Sequence, residues 1–467
     1  MGEAQCERRF RGTIDEEVDG QGAHSAGVGY CSRDSIAAEQ QMGDQPFAGV
    51  TVIEFGQFIA VPYCAQLLAD GGAHVIKVEP HDGDPTRHLA PIVPGETRHF
   101  ISRNRGKHSL PLDLRHPLAP RIIEALLAKA DVALFNLRPG LAESLGLDYA
   151  TLAAKYPALV VGTVTAFGRT GPDAHLAGMD YVLQARSGLM TALGKTTDGM
   201  PTAGDSPVVD YMCAMTLAFG VSSALYRRAQ TGLGGEVDVS LLGASMALQA
   251  TLFARVASLD AAPDAEFLAW LEQARAEGKP FTEQLARSSG VRPSYMTTVY
   301  YRTYQTADGA IGIACGSPQL RRKFMTVAGR DDPMLERAAT APREEIAAHY
   351  ATLQREMEAL FRTKSTAEWQ AALDAAGVPA SRVAFPTELL DDAQVAANGL
   401  LHRFEHWGLG QVTVLGPPLT LDGDGFRAGP ATAMIGSESR AILRAFGLTE
   451  AEVNAAERDG AIRVEDN

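Results

Sequence analysis

The chain has 467 residues, 46% of them hydrophobic, enough to bury a substantial core and to divide into more than one domain. Its formal net charge of −14 argues against a nucleic-acid or anionic-membrane partner, so any phosphate it binds has to be met by local basic residues. Cys6, Cys31, Cys64, Cys213 and Cys315 show neither paired metal-ligand spacing nor a disulfide framework, which points to a reduced cytoplasm and to no metal. No apolar run reads as long enough to span a bilayer, and the N-terminus lacks the apolar core of a signal peptide.

Residues 1–46 are polar and glycine-rich without a sustained period, and read as a disordered extension. From there the pattern predicts a strand over 52–55, a helix over 62–70 with Gly71-Gly72 as its stop, and a second strand over 74–78. Helices over 118–130 and 141–156 feed strands over 132–136 and 159–165. Strands alternating with helices at this spacing predict an α/β fold with a mostly parallel, Rossmann-like sheet covered on both faces. After the first strand the chain reads Gly56-Gln-Phe-Ile-Ala-Val-Pro62, which lacks the Gly-x-Gly-x-x-Gly that a dinucleotide pyrophosphate needs; NAD is not expected. A long apolar helix follows Gly204-Asp-Ser-Pro and ends at Thr231-Gly-Leu-Gly-Gly, where an alternating stretch runs to Ser240. Segments 268–276, 297–304, 310–315 and 320–328 suggest a smaller α/β unit, 353–361 and 367–376 helices, 412–419 extended structure, and 437–446 a terminal helix. The domain reading is an extension over 1–46, a large domain over 47–258, a small α/β domain over 259–385, and a C-terminal segment over 386–467.

Asp210 stands at the start of the long apolar helix. A carboxylate there either caps the helix or acts as a nucleophile, kept ionised at neutral pH by the helix-terminal N–H groups. The segment alone is compatible with both.

A series of motifs resolves the choice: Gly49-Val-Thr-Val-Ile-Glu-Phe-Gly56, Ala60 through Pro80, Gly83-Asp-Pro-Thr-Arg87, Asn104-Arg-Gly-Lys-His-Ser-Leu-Pro-Leu-Asp-Leu114, Ala130-Asp-Val-Ala-Leu-Phe-Asn-Leu-Arg-Pro-Gly140, Phe167-Gly-Arg-Thr-Gly-Pro172 and Gly178-Met-Asp-Tyr181. In this order they resemble the class III CoA-transferases, also called the CaiB/BaiF family, which include formyl-CoA transferase and carnitine CoA-transferase; the likeness runs from about Gly49 to Gly447. The resemblance implies an aspartate nucleophile at Asp210, upstream of the Thr-Gly-x-Gly turn. It also implies transfer of CoA between two carboxylic acids through an aspartyl anhydride and thioester, with the CoA thioester as substrate and no resident cofactor. It further implies a C-terminal tail returning to the large domain and two subunits interlocked as a homodimer.

Inside the matched motifs, Lys77, Arg87, Arg105, Lys107 and Arg138 are the basic candidates for the phosphates of CoA, with Asn104 and Asn136 beside them. Asn136 ends a strand where ligands of parallel sheets collect, and Ile59 and Ala60 lie in the loop that shapes the family's pocket near the carboxylate. Ala214 and Val61 stand where relatives often carry glycine, and the family's glycine-rich lid has only Ser288-Ser-Gly-Val291 as a candidate, which leaves the acid substrates open. His108 replaces an arginine of many relatives and reads as surface solvation. The rival activity in the superfamily, acyl-CoA racemisation, needs a histidine where this chain has Met179 and a glutamate where it has Ser317, so the proton carriers are missing. The rival of another class is a CoA-binding protein without catalysis, which the retained Asp210 argues against.

Overall fold

A computed structural model describes residues 44–290, 297–338 and 340–465; the N-terminal extension up to residue 43, with Cys6 and Cys31, lies outside them. The large unit is built from β1 (Thr51–Glu54), α1 (Ala60–Asp70), β2 (His74–Glu79), α2 (Arg98–Asn104), β3 (Lys107–Pro111), α3 (Ala119–Leu127), β4 (Val132–Phe135), α4 (Tyr149–Lys155), β5 (Val160–Thr165), α5 (Asp180–Arg186), α6 (Val208–Thr231), β6 (Gly235–Ser240) and α7 (Leu241–Ala247). The six strands form one wholly parallel sheet in the order β3-β2-β1-β4-β5-β6, the doubly wound arrangement whose connections reverse between β1 and β4.

Alternate side chains of each strand feed two cores, because successive residues point to opposite faces. On one face Val52, Val75, Val132 and Val160 pack against Cys64 and Leu68 of α1 and Val209, Cys213, Leu217 and Val221 of α6. On the other, Ile53, Ile76, Leu110 and Ala133 meet Ile122 and Leu126 of α3, and Phe55 stacks on Phe135 with ring centroids 5.0 Å apart. That second face is completed from the far end of the chain. Ile442 and Leu443 of α12 (Ser439–Ala445), Val453 and Ala456 of α13 (Glu450–Arg458), and Ile462 all join its core.

Between these parts lies a second unit around an antiparallel sheet, β9-β8-β7, formed by Tyr301–Gln305, Ala310–Ala314 and Ala380–Arg382 as β7, β8 and β9. The long helix α8 (Ala257–Ala276) precedes it; α9 (Pro318–Ala328), α10 (Arg343–Phe361) and α11 (Thr366–Ala375) pack on it around Phe324, Phe361 and Trp369. Leu401–His406 and Gly410–Leu415 then form an antiparallel pair, β10 and β11.

Several elements differ from the sequence reading. The helix expected over 141–156 is two, Leu141–Ser144 and α4, because Gly146 turns the chain at φ 66° and Asp148 caps α4 by accepting from Thr151 N at 3.0 Å. The helix α6 is long and apolar enough to cross a membrane by length and composition, with an 18-residue stretch of mean hydropathy 1.5, which corrects the reading that no such run exists. Its sheet side is buried core, and its outward side carries exposed Met215, Phe219 and Tyr226.

The turn from α6 into β6 depends on glycine. Gly232 ends the helix at φ 74°, and a Cβ on Gly234 would sit 2.0 Å from the carbonyl oxygen of Leu159. Gly234→Ala should therefore push β6 from β5 and lower stability by ~1–3 kcal/mol, read as a lower urea midpoint; an unchanged midpoint would show that the turn yields freely.

Candidate active site

In an open parallel sheet, ligands collect beyond the carboxyl ends of the strands where connections reverse. A cavity of about 540 Å³ opens at that place, between β1 and β4. The loop after β1 contributes Gln57, Phe58, Ile59 and Ala60; the loop after β4 contributes Asn136, Leu137, Arg138 and Pro139; Met179, Val182, Asp210 and Leu241 close the far side.

The first loop is pinned at both ends by buried charge. Lys77 of β2 donates to the Gly56 carbonyl at 2.7 Å, and Lys107 of β3 donates to the Pro62 carbonyl at 2.7 Å. Both ammonium groups pair with Glu54 at the end of β1, at 3.0 and 2.8 Å, and Lys77 also pairs with Asp84 at 2.9 Å. Burial pushes Lys107 down to about 8, with Glu54 opposing the shift, whereas around Lys77 the carboxylates of Asp84, Glu54 and Glu79 outweigh burial and hold its charge more firmly than usual. In the middle of the loop, Asn136 donates to the Gln57 carbonyl at 2.8 Å and accepts from the Gln57 N–H at 2.9 Å, mimicking a strand pairing across the switch point. Between these anchors Phe58 is held at φ 65°, a conformation bulky residues avoid. Val61 fills the space a side chain on Gly56 would need, its Cγ1 lying 2.2 Å from that position, so glycine at 56 accommodates the bulk that replaces glycine at 61. The helix α1 that follows has no side-chain cap, and among the described residues no hydrogen bond reaches the N–H of Ala60 or Val61.

The basic residues expected at CoA divide sharply. Arg138, with Asn136, Ile59 and Ala60, lines the cavity together with Asp210. Lys77, Arg87, Asn104, Arg105 and Lys107 do not line it, and all five are buried and hold partners elsewhere, with Arg105 Nε left without one among the described residues. Arg87 binds Glu79 at 2.9 Å and Glu96 at 2.7 Å and lies 3.5 Å over the Phe100 ring. Arg105 is clamped on Asp70 and reaches the Leu415 carbonyl at 3.3 Å, and Asn104 accepts from Lys107 at 2.8 Å. His108 is not simply solvated: its Nδ1 lies 2.9 Å from Glu438 Oε1.

Asp210 sits in the first turn of α6, half-buried at the cavity wall. The N–H groups expected to stabilise it go elsewhere. Asp180 Oδ2 accepts from Val209 N at 2.8 Å and from Asp210 N at 3.0 Å, so the helix is capped by a carboxylate thirty residues upstream. Among the described residues no hydrogen bond or ion pair reaches the Asp210 carboxylate itself. Burial, then the neighbouring Asp180, push its carboxyl up to about 7, with Arg103 opposing. This reverses the sequence expectation of a carboxylate held ionised by the helix end. Neither the reach of Asp180 nor the φ of Phe58 has a signature in local sequence; both arise from contacts across long separations.

The two positions where proton carriers for racemisation are expected to be missing are equally plain. Met179 is exposed on the cavity wall, and Ser317 caps α9 by accepting from Leu320 N at 3.2 Å. The lid candidate falls at the end of the helix Phe281–Gly290, and Val291 lies outside the described residues.

Both the sequence and the fold are matched in known proteins. The model of CoA-transferase family III matches residues 47–431, and the chain belongs to that family. It is 30% identical over 415 residues to acetyl-CoA:oxalate CoA-transferase of Acetobacter aceti, covering 87% of this chain and 97% of the relative. To cinnamoyl-CoA:phenyllactate CoA-transferase of Clostridium sporogenes it is 28% identical, covering 90% and 97%. Among solved structures it resembles Rv3272 of Mycobacterium tuberculosis, at a TM-score of 0.66 and 28% identity over 85% of this chain and 98% of that one. A CAIB/BAIF family protein of Brucella suis gives a TM-score of 0.64 at 27% identity, covering 86% and 99%. The chain is a family III CoA-transferase.

The raised proton affinity of Asp210 has a measurable consequence. The folded chain holds this proton more tightly than the unfolded one, so stability falls as pH rises from the ordinary aspartate range to about 7 and stays low above it. Asp210→Asn removes that loss. Partial solvent access moderates the effect, and the variant should be more stable than the parent by ~1–3 kcal/mol at pH 8 and equal to it at pH 4. Urea unfolding at the two pH values checks this, and an equal difference at both would remove the titration of Asp210 as its cause.

Proposed function

We propose that the chain moves CoA from an acyl-CoA to a second carboxylic acid with Asp210 as the covalent carrier. The observation that carries this reading is the unpartnered Asp210 carboxylate in the cavity wall. A carboxylate without hydrogen-bond donors keeps its electron pairs for the thioester carbonyl. Attack by a carboxylate oxygen forms a C–O bond, breaks the C–S bond and releases CoA thiolate, leaving an acyl-aspartyl anhydride. The thiolate attacks the aspartyl carbonyl, expelling the donor acid and leaving an aspartyl-CoA thioester. The acceptor carboxylate attacks that thioester to give a second anhydride and thiolate. Attack of the thiolate on the acceptor's acyl carbon then forms acceptor-CoA and frees Asp210. Each step exchanges one activated acyl bond for another, so no nucleotide is consumed.

The uncapped N-terminus of α1, with the N–H groups of Ala60 and Val61, is the candidate donor set for the oxyanion that develops on the carbonyl. Arg138 is the candidate partner for a phosphate of CoA, because it is the one residue of the sequence-derived basic set that lines the cavity. Lys77, Arg87, Arg105 and Lys107 act in this reading by holding the scaffold. The homodimer belongs to the same proposal: the exposed apolar side of α6, with Met215, Phe219 and Tyr226, is a surface that a second copy would bury.

Asp210→Ala should abolish exchange between an acyl-CoA and a free acid, by at least ~10⁴-fold, while leaving the fold intact. Enzyme mixed with donor alone and quenched with hydroxylamine should carry a hydroxamate at Asp210, read by peptide mass spectrometry; near-normal turnover of the alanine variant would overturn the assignment. The two classes of arginine also separate. Arg138→Gln should raise KM for acyl-CoA about tenfold with an unchanged melting temperature, whereas Arg87→Gln, which strands Glu79 and Glu96, should cost ~3–5 kcal/mol of stability. The opposite pattern would return Arg87 to the ligand.

A further inference from the structure

We infer that Asp180 is a positioning residue for Asp210: by occupying the backbone donors at the head of α6, it keeps the Asp210 carboxylate without a partner and turned to the cavity. The inference rests on the proposed reading of Asp210 as the covalent carrier. An aspartate in the first turn of a helix ordinarily lowers its energy by accepting from the N–H groups of that turn. Here those groups are taken. Pro207 has no N–H to offer, Val208 N donates to Ser206 O at 2.9 Å, and Val209 N and Asp210 N both donate to Asp180 Oδ2. The other Asp180 oxygen accepts from Gln184 Nε2 at 2.5 Å, and both side chains are buried.

A merely structural cap would need no charge, since a hydroxyl or an amide oxygen satisfies the same donors. The charge is what acts on Asp210. Groups that face it are few: Asp180 from α5, Arg103 from α2, and Cys213 on its own helix. Arg103 is itself held by Tyr211 Oη at 3.2 Å and the His99 carbonyl at 3.0 Å. The elements packed against α6 add Tyr63 and Cys64 of α1, Asp238 of β6 and Arg186 of α5, whose guanidinium is paired with Asp173; across the cavity lie Arg138 and Arg169, the latter paired with Glu236 and Asp238. Asp180 therefore supplies a negative neighbour and removes the donors at once, and both effects favour a basic, available carboxylate.

The structure also indicates a clean variant. Gln184 Oε1 is buried with no hydrogen-bond partner, so in Asp180→Asn the glutamine amide can turn and accept from the new amide while the remaining side-chain oxygen at position 180 keeps the two helix bonds. The charge is lost and the cap retained. Asp180→Ser, with an uncharged capping hydroxyl, serves if the first variant does not fold.

The test compares unfolding midpoints against pH for chains with and without Asp210→Asn, first with Asp180 in place and then with Asp180→Asn. With Asp180 in place, the stability gap that Asp210→Asn creates should widen from the ordinary aspartate range and level off around pH 7; with Asp180→Asn it should level off about one pH unit lower and at a smaller size. The rising limb of single-turnover acylation by an acyl-CoA should move down by the same amount. A gap and a limb that stay where the native protein has them, with only the rate or the melting temperature altered, would reduce Asp180 to a cap and overturn the proposal. Failure of the carrier reading would look different: Asp210→Ala would retain turnover while the stability gap still moved with Asp180.

Discussion

Glu54 at the end of β1, set between Lys77 and Lys107, is the contact on which the site depends. Burying two ammonium groups and a carboxylate is costly unless the geometry satisfies each of them. Here the lysines satisfy their remaining donors on Asp84, Gly56 and Pro62, and in doing so they fix the two ends of the loop that forms one wall of the cavity. The cost is thereby turned into position. Asn136 adds a neutral clamp in the middle, and the strained φ of Phe58 survives because the loop is held on three sides.

The opposite wall follows a complementary logic. Around the first loop, cations are matched to carboxylates and carbonyls; around Asp210, donors are withdrawn and a second carboxylate is brought near. For the proposed reaction this is favourable, because a carboxyl already solvated by strong donors would have to give them up on meeting a thioester. The fold places the two environments within one cavity by joining β1, β4 and the head of α6 at a single point of the sheet.

Much of this architecture is legible in the sequence. The alternating buried strands and helices from β1 to β6 follow from periodicity and glycine stops, and the family from an ordered set of motifs. What is hidden lies at edges and at long range. Lys-His-Ser-Leu-Pro does not read as a strand, and becomes β3 only because β2 offers it an edge. The helix α13 carries its signal in the Thr449–Glu452 capping box, a mark that apolar periodicity alone does not reveal. The motif basic residues are visible, but their partners are not: Lys77 and Glu54 are distant in sequence, as are Arg105 and Asp70, and only the fold brings them together. A charged residue in a ligand-binding motif can hold the binding loop instead of the ligand.

The closing of the sheet by α12, α13 and Ile462 bears on how the chain is made. Synthesis proceeds from the N-terminus, and domains as a rule fold when their last essential residue has emerged. For this sheet that residue comes far beyond β6, with the whole second unit in between. Ile53, Ile76 and Leu110 can meet α3 early, but the part of their core that α12 and α13 supply is made last, while the small unit around Trp369 has all of its core in hand earlier. In chain order, the core of the middle unit is complete before the core of the sheet with which the chain begins.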